Sequence, residues 1–493
     1  MVWPVHPVRA AGADPGGAGG RLQGRAGEPG MGGRAAAAPR RCDAAGPCRA
    51  GAADGAGTPG LARGGAAVRR SRGLILQDVI GWALPGPPAG SATARKARLL
   101  LLDSLGCALA GLRHPRVAAF ARAMQAAFPG DVTLAGARLA PGVAAAVLST
   151  ATCWDEANEG LAIAHGRPAL PVAPLALVAR ARGASAHDTV AAFALGYEVA
   201  ARAGEAWRIK PGMHVDGSWH GLGAAACAAR LAGLGAGGVA RAVRLVACQV
   251  PFSLYAPIAA GMDGRNSYPA HAALLGSMAA AAAVAGMDAP EDGFAQARRI
   301  ALGHDEQAVT TGPGTWLLEH AYLKPFAGVR HAHYAAAAAI ALRDRVSATP
   351  QRVVLSTYAE ALRYAGNRAP RAAIAAQFSL SWAVAAALVQ GDLGPAAYTD
   401  AALDDPRLRA LEVKVELVED SALTAIGKRG ATLTVDGESE TVTGVTGDPD
   451  RPMTEAEAIA KFARFAGPTL GEAGVARAVA ALLHDAPAES LFA

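Results

Sequence analysis

The sequence predicts a mainly α protein: a large all-helical domain built from N- and C-terminal parts, with a smaller α+β domain inserted between them. Three observations lead there. Ala-rich segments with helical spacing run from Leu74 to about residue 318, period-2 alternation is confined to residues 319–450, and a helical pattern returns at Met453. The boundaries that follow are 1–73, 74–318, 319–450 and 451–493, and 493 residues are more than one ordinary core needs.

Residues 1–73 are Gly, Ala, Arg and Pro with almost no bulky apolar side chains, so burial cannot offset the entropy of ordering them. A disordered tail is expected there. It also explains the net charge of +6: the tail holds 11 Arg against 4 acidic residues, leaving 36 basic and 37 acidic residues in the remainder. The part that folds is neutral, which argues against a nucleic-acid partner. Six cysteines show no C-x-x-C pair and no zinc or iron–sulfur spacing, which fits free thiols in a reducing cytoplasm. Apolar runs such as Leu274–Gly286 are too short to span a bilayer, so no membrane partner is expected.

From Ala94 to Leu112 a charged start, an apolar body and late glycines mark the first helix. Similar segments follow at Gly142–Cys153, Leu170–Ala181, Asp188–Ala203, Gly221–Leu231, Val239–Val250, His271–Ala285 and Asp292–Ala301, with no convincing strand among them. Past Glu319, alternation marks strands at Arg352–Tyr358 and Leu411–Val418, and Asp436-Gly437 turns a hairpin within Ala431–Val445. Helices are expected at Ala332–Leu342 and Phe378–Val389. Thr454 and Glu457 have capping-box spacing at the start of the last helical stretch.

The stretch Cys153–Gly166 packs Asp155, Glu156, Asn158, Glu159 and His165 into an otherwise apolar run. If its first part is helical, Asp155, Asn158 and Glu159 share a face at i, i+3 and i+4. Carboxylates and an imidazole held together suit acid–base chemistry; a solvated helix end is the plain alternative. His214 and His220 precede a helix start whose free N–H groups and glycines would admit an anion. Lys324, Arg330, His331 and His333 precede another Ala-rich helix, where Arg330 could hold a carboxylate bidentately. A metal at His331 and His333 lacks a third ligand nearby, so none is expected. Arg265 and Tyr268 occupy a further loop before a helix, and Tyr364 comes from the α+β part.

These motifs, in this order, resemble the MmgE/PrpD family, the group that includes 2-methylcitrate dehydratase and cis-aconitate decarboxylase. The resemblance is carried by LLLDSLGCALAGL, by Asp155 and His165, and by MHVDGSWHGLGAAA, PAHAALLG, KPFAGVRHAH, RYAGNRAP, AQFSLSWAVAAALVQGDL and GDPDRPMTEAEAIAKF, across about residues 74–493. It implies a helical domain with an α+β lid, a homodimer, and a cleft site without metal, cluster or other cofactor. It puts Asp155, His165, His214, Lys324 and Tyr364 in catalysis. Two positions depart from the family's tricarboxylate enzymes, which have a lysine at Tyr268 and a small hydroxyl residue at Glu159; a site shifted by two charges would bind a trianion poorly. Arg265 could restore one charge.

The expected activity is a lyase acting on a small carboxylic acid, by proton removal next to a carboxylate and loss of water. An epimerase, isomerase or decarboxylase on the same fold and a non-catalytic helical scaffold are the alternatives. In the expected mechanism Lys324, Arg330 and the helix start after His220 hold the carboxylate. His165 or Asp155 takes the proton, His214 or Tyr364 returns one, and Glu159 meets a hydroxyl or amino group. His220, Arg265, Tyr268 and His331 complete the binding set.

Overall fold

Ser91 opens the first long helix, Ala92–Leu112, its hydroxyl accepting from the Ala94 amide at 3.1 Å. That helix is buried along nearly its whole length because it lies at the centre of the principal core, between helix Pro141–Trp154 and helix Glu455–Leu483. The computed structural model describes residues 70–72, 76–249, 252–306 and 308–492. Most of the predicted tail lies outside the described residues. Its last part does not: Arg70–Arg72 form a strand paired antiparallel with Val309–Thr311.

Small side chains set the helix spacing. A Cβ on Gly111 would stand 2.1 Å from the Ala151 carbonyl oxygen, and one on Gly223 would stand 2.4 Å from the Gly196 carbonyl oxygen. Helix Ala92–Leu112 therefore nests on Pro141–Trp154, and His220–Leu231 on Ala186–Ala206, at backbone contact. Helices Ala169–Ala181, Ala236–Ala247 and Tyr268–Val284 complete this layer. The expectation of an all-helical part needs correction. Besides the strand pair above, Pro129–Leu134 and Ala137–Leu139 form a hairpin, turned by Ala135 and Gly136 at φ 47° and 79°. Positive φ at both turn residues matches the twist of the strands.

The region past Lys324 builds a second core around Val353, Leu355, Trp382 and Leu433. Its four-stranded sheet runs Val415–Glu419, Val353–Thr357, Ala431–Val435, Glu438–Val442; the first pair is parallel and the others antiparallel. Asp436 and Gly437 make the hairpin turn at φ 48° and 99°. Helices His333–Leu342 and Leu380–Gln390 pack against this sheet. The strand expected from Leu411 begins only at Val415, because the Asp405 side chain accepts the Arg407 amide at 2.8 Å and Pro406 starts a helix that takes in Leu411 and Glu412.

Thr454 and Glu457 form the complete capping box. The helix they open runs, across a break at Gly471 (φ 66°), back along Ala92–Leu112. There the buried Lys461 ammonium meets the Asp103 carboxylate and donates to the Ala157 carbonyl at 2.7 Å. None of the described helices is long and apolar enough to cross a membrane.

Candidate active site

Helix Pro141–Trp154 stops at Asp155, and Glu156 turns left-handed at φ 54°. The expected helical face of Asp155, Asn158 and Glu159 therefore does not form. The chain instead bends irregularly to Gly160, which pairs with Tyr322 through reciprocal bonds of 3.0 and 2.9 Å. A Cβ on Gly160 would meet the Tyr322 ring at 2.3 Å, so only glycine lets the two segments close. The Gly328 amide reaches the Asp155 carbonyl at 2.9 Å. The polar stretch and the Lys324–His333 stretch are thereby held side by side.

Between them lies a buried charge network. Arg167 Nη2 is 3.0 Å from Glu156 Oε1 and also pairs with Asp216; Arg265 pairs with Glu156 and lies 3.1 Å from Asp216 Oδ2. Lys324 Nζ donates to the Glu156 carbonyl at 2.7 Å and lies 3.4 Å from its Oε2. The Cys153 thiol sits among them, 2.8 Å from Arg265 Nη1 and 3.4 Å from Arg167 Nη2. Burial opposes ionising Glu156, but Arg167, Arg265 and Lys324 outweigh it and hold its pKa at about 2. Burial pushes Lys324 down to about 8, with Glu156 resisting. Burial likewise raises the Cys153 thiol to about 11 despite the two guanidinium groups. Three cations thus face two carboxylates, leaving one positive charge in excess. Cys153, Glu156 and Asp216 bring three potential metal-ligand atoms within 4.8 Å of one another, but Arg167 and Arg265 already neutralise that position.

Aromatic and imidazole rings line the other side. His331 Nδ1 is 2.7 Å from the Tyr358 hydroxyl, and its ring stacks on Tyr364 at 5.9 Å. His214 stacks on Tyr255 at 6.1 Å and faces Tyr268 at 6.4 Å. Tyr255 lies within the electrostatic reach of Tyr364, Arg265 and Glu156, which ties the two ring groups to the network. His214 Nδ1 accepts the Asp216 amide at 3.1 Å, leaving Nε2 as its donor nitrogen. Burial lowers His214 to about 4 and His331 to about 3. His165 stands in left-handed backbone at φ 52°, its imidazole lowered to about 4 by partial burial and then by Arg208 and Arg429. All three rings are neutral at pH 7.

Glu156 and Asp216 thus bring Lys324, Arg265 and His214 together, His214 faces Tyr268, and His331 stacks on Tyr364. Asp155 meets the Lys324–His333 stretch through its backbone carbonyl, which accepts the Gly328 amide. Its buried carboxyl, among Cys107 and Tyr398, is raised to about 7 by burial against the pull of Arg113.

Four candidates serve the fold instead. Glu159 Oε1 accepts the Ala169 amide at 2.8 Å and Oε2 accepts Asn158 Nδ2 at 2.6 Å, so it caps helix Ala169–Ala181 instead of meeting a substrate. Arg330 is buried against Asp448 and stacks near Tyr322 and Tyr334. His220 lies fully buried on the Trp219 ring at 3.8 Å, and the glycines after it serve close helix packing. His333 is buried on the Gly328 carbonyl at 3.2 Å, away from any pairing with His331. Sequence reasoning assigned no role to Arg167, Glu156 and Asp216. Their only signal was charge inside the motifs that carry Asp155, His165 and His214.

No curated protein shows significant similarity to the chain. The N-terminal domain of the MmgE/PrpD family matches residues 87–310, and its C-terminal domain matches residues 326–485. Both halves of the described fold are thus covered in order, and the chain belongs to the MmgE/PrpD family.

Proposed function

We propose that the chain is a lyase that removes a proton next to a substrate carboxylate and expels water. Family membership supports an enzyme of the dehydratase or lyase kind. The observation that carries the finer reading is the surplus positive charge at Lys324, set beside neutral imidazoles and phenols.

In this reading the substrate carboxylate binds at Lys324, where charge building up on it as the neighbouring C–H breaks meets an ammonium already in place. His165, unprotonated at pH 7, takes the proton; Asp155, at about 7, is the alternative base. Tyr364 or His214 Nε2 gives a proton to the departing hydroxyl. The C–O bond then breaks, a double bond forms, and water leaves. The same reading expects two copies to associate, and Met278, Val284 and Met287 offer exposed apolar surface for that.

Incubating the full chain with a panel of hydroxy acids in D2O tests the reaction by NMR. Deuterium at the carbon next to the carboxylate together with an alkene product supports the lyase; deuterium with inverted configuration and no alkene identifies an epimerase. Unchanged turnover in Asp155→Asn removes Asp155 from the chemistry, and unchanged turnover in His165→Asn as well overturns the mechanism.

A further inference from the structure

His214 sits in the loop that runs from Gly212 to Gly217, and residues 253–255 are laid along that loop. The Tyr255 amide donates to the Gly212 carbonyl at 2.9 Å, Met213 and Leu254 form an antiparallel bridge, and the His214 amide donates to the Ser253 carbonyl at 2.8 Å. The Tyr255 ring stacks on His214 at 6.1 Å, so the same segment also sets the plane of the imidazole. Ser253 adds bonds of its own. Its hydroxyl lies 2.9 Å from the His214 carbonyl and also meets the Asp216 carbonyl, so its single proton is shared between the two.

His214 and Asp216 are also the residues whose mutual bond sets the tautomer. The Asp216 amide donates to His214 Nδ1 at 3.1 Å, and because an amide N–H can only donate, the proton of the neutral ring stands on Nε2. A rival acceptor lies close by: Asp216 Oδ2 is 3.8 Å from the same Nδ1, beyond hydrogen-bond reach but within a small turn of the ring. A bond to that carboxylate would draw the proton to Nδ1 and leave Nε2 bare. Two restraints favour the amide. Arg167 and Arg265 already claim Oδ2, and the Ser253 hydroxyl holds the backbone on both sides of Val215 in the conformation that points the Asp216 amide at the ring.

We infer that Ser253 is a positioning residue that holds His214 in the tautomer with its proton on Nε2, a role resting on the reading that Nε2 protonates the departing hydroxyl. Ser253 acts through the ring, not on the substrate.

Proton–nitrogen correlation NMR of the full chain with isotope-labelled histidine reads the tautomer directly at pH 7, and His214 is identified by the signal lost in His214→Gln. Wild type is expected to show Nε2 protonated and Nδ1 bare. Ser253→Ala should raise the population protonated at Nδ1 about 5-fold or more, and Ser253→Thr, which keeps the hydroxyl, should restore the wild-type ratio. Ser253→Cys keeps the bulk of the side chain but donates weakly, so it should give the same rise and stands in if the alanine variant does not fold. A proton on Nδ1 in wild type overturns the inference, as does an unchanged tautomer ratio in the alanine or cysteine variant. Turnover of the hydroxy acid that wild type dehydrates judges the reading beneath it: His214→Gln should lower kcat about 100-fold or more and Ser253→Ala about 10-fold, both with KM little changed. Full turnover in His214→Gln ends the proton-donor reading, whereas the spectra alone decide what Ser253 does to the ring.

Discussion

The Tyr358 hydroxyl and His331 Nδ1 lie 2.7 Å apart, joining the end of a sheet strand to the loop that carries Lys324. Burial holds the imidazole neutral, so this bond fixes how the ring is turned and leaves Nε2 as the nitrogen outside it. Tyr358→Phe removes one partner and leaves a buried nitrogen unsatisfied. A stability loss of about 1–2 kcal/mol is expected in urea titration, with turnover down about 10- to 100-fold. Stability lost with unchanged turnover would confine His331 to a structural role.

Lys324 neutralises Glu156 together with Arg167 and Arg265. Lys324→Met leaves that carboxylate two guanidinium partners, so the fold should survive while the surplus charge disappears. Carboxylate ligands should then no longer raise the melting temperature, whereas wild type should gain several degrees at saturating ligand. Ligand-induced stabilisation of equal size in both proteins would place the anion elsewhere.

Glu159, raised to about 7 by burial, is protonated in the folded chain where the unfolded chain is already ionised. A raised folded pKa stabilises at low pH, and that stability drains as pH climbs from about 4.5 to about 7. From pH 5 to pH 7.5, Glu159→Gln should gain about 1–3 kcal/mol relative to wild type in paired melting curves. Parallel curves would show that the carboxyl ionises freely.

The histidines act in the opposite direction. His214, His220 and His331 are held at about 4, 4 and 3, chiefly by burial, so the unfolded chain takes up protons near 6.5 that the folded chain refuses. Stability should fall as pH drops from about 6.5 toward 4, and His214→Gln should flatten that slope by about one proton when urea midpoints are followed against pH.

Lys461 and Asp103 form a buried ion pair, and the unpaired Asp103 Oδ2 has no other partner among the described residues. Lys461→Met should cost about 3–5 kcal/mol by stranding the carboxylate. Lys461→Met with Asp103→Leu should recover much of that loss in urea titration; additive losses would mean that packing at the two positions, not charge, sets the cost.

Periodicity and capping residues were enough to locate the helices and the four-stranded sheet, because both depend on local spacing that a sequence displays. The hairpin at 129–139 was hidden, since Pro129 and Gly130 look like loop and its turn is carried by Ala135, a residue without turn character. Lys324, His214, His331 and Tyr364 stand out in the sequence as polar residues beside glycine-containing loops, and the structure sets Lys324 on Glu156 and His331 beside Tyr364. Glu159 and Arg330 were misread because nothing local reveals that the Ala169 amide or Asp448 would claim them.

The contact of the closing helix with Ala92–Leu112 joins residues 358 positions apart in the chain. During synthesis, the face of the early helix that the closing helix covers stays open until the ribosome has released almost everything after it. Such a chain should depend on chaperones while nascent, and termination codons even slightly upstream of Glu455 should yield insoluble product, whatever the state of the catalytic groups.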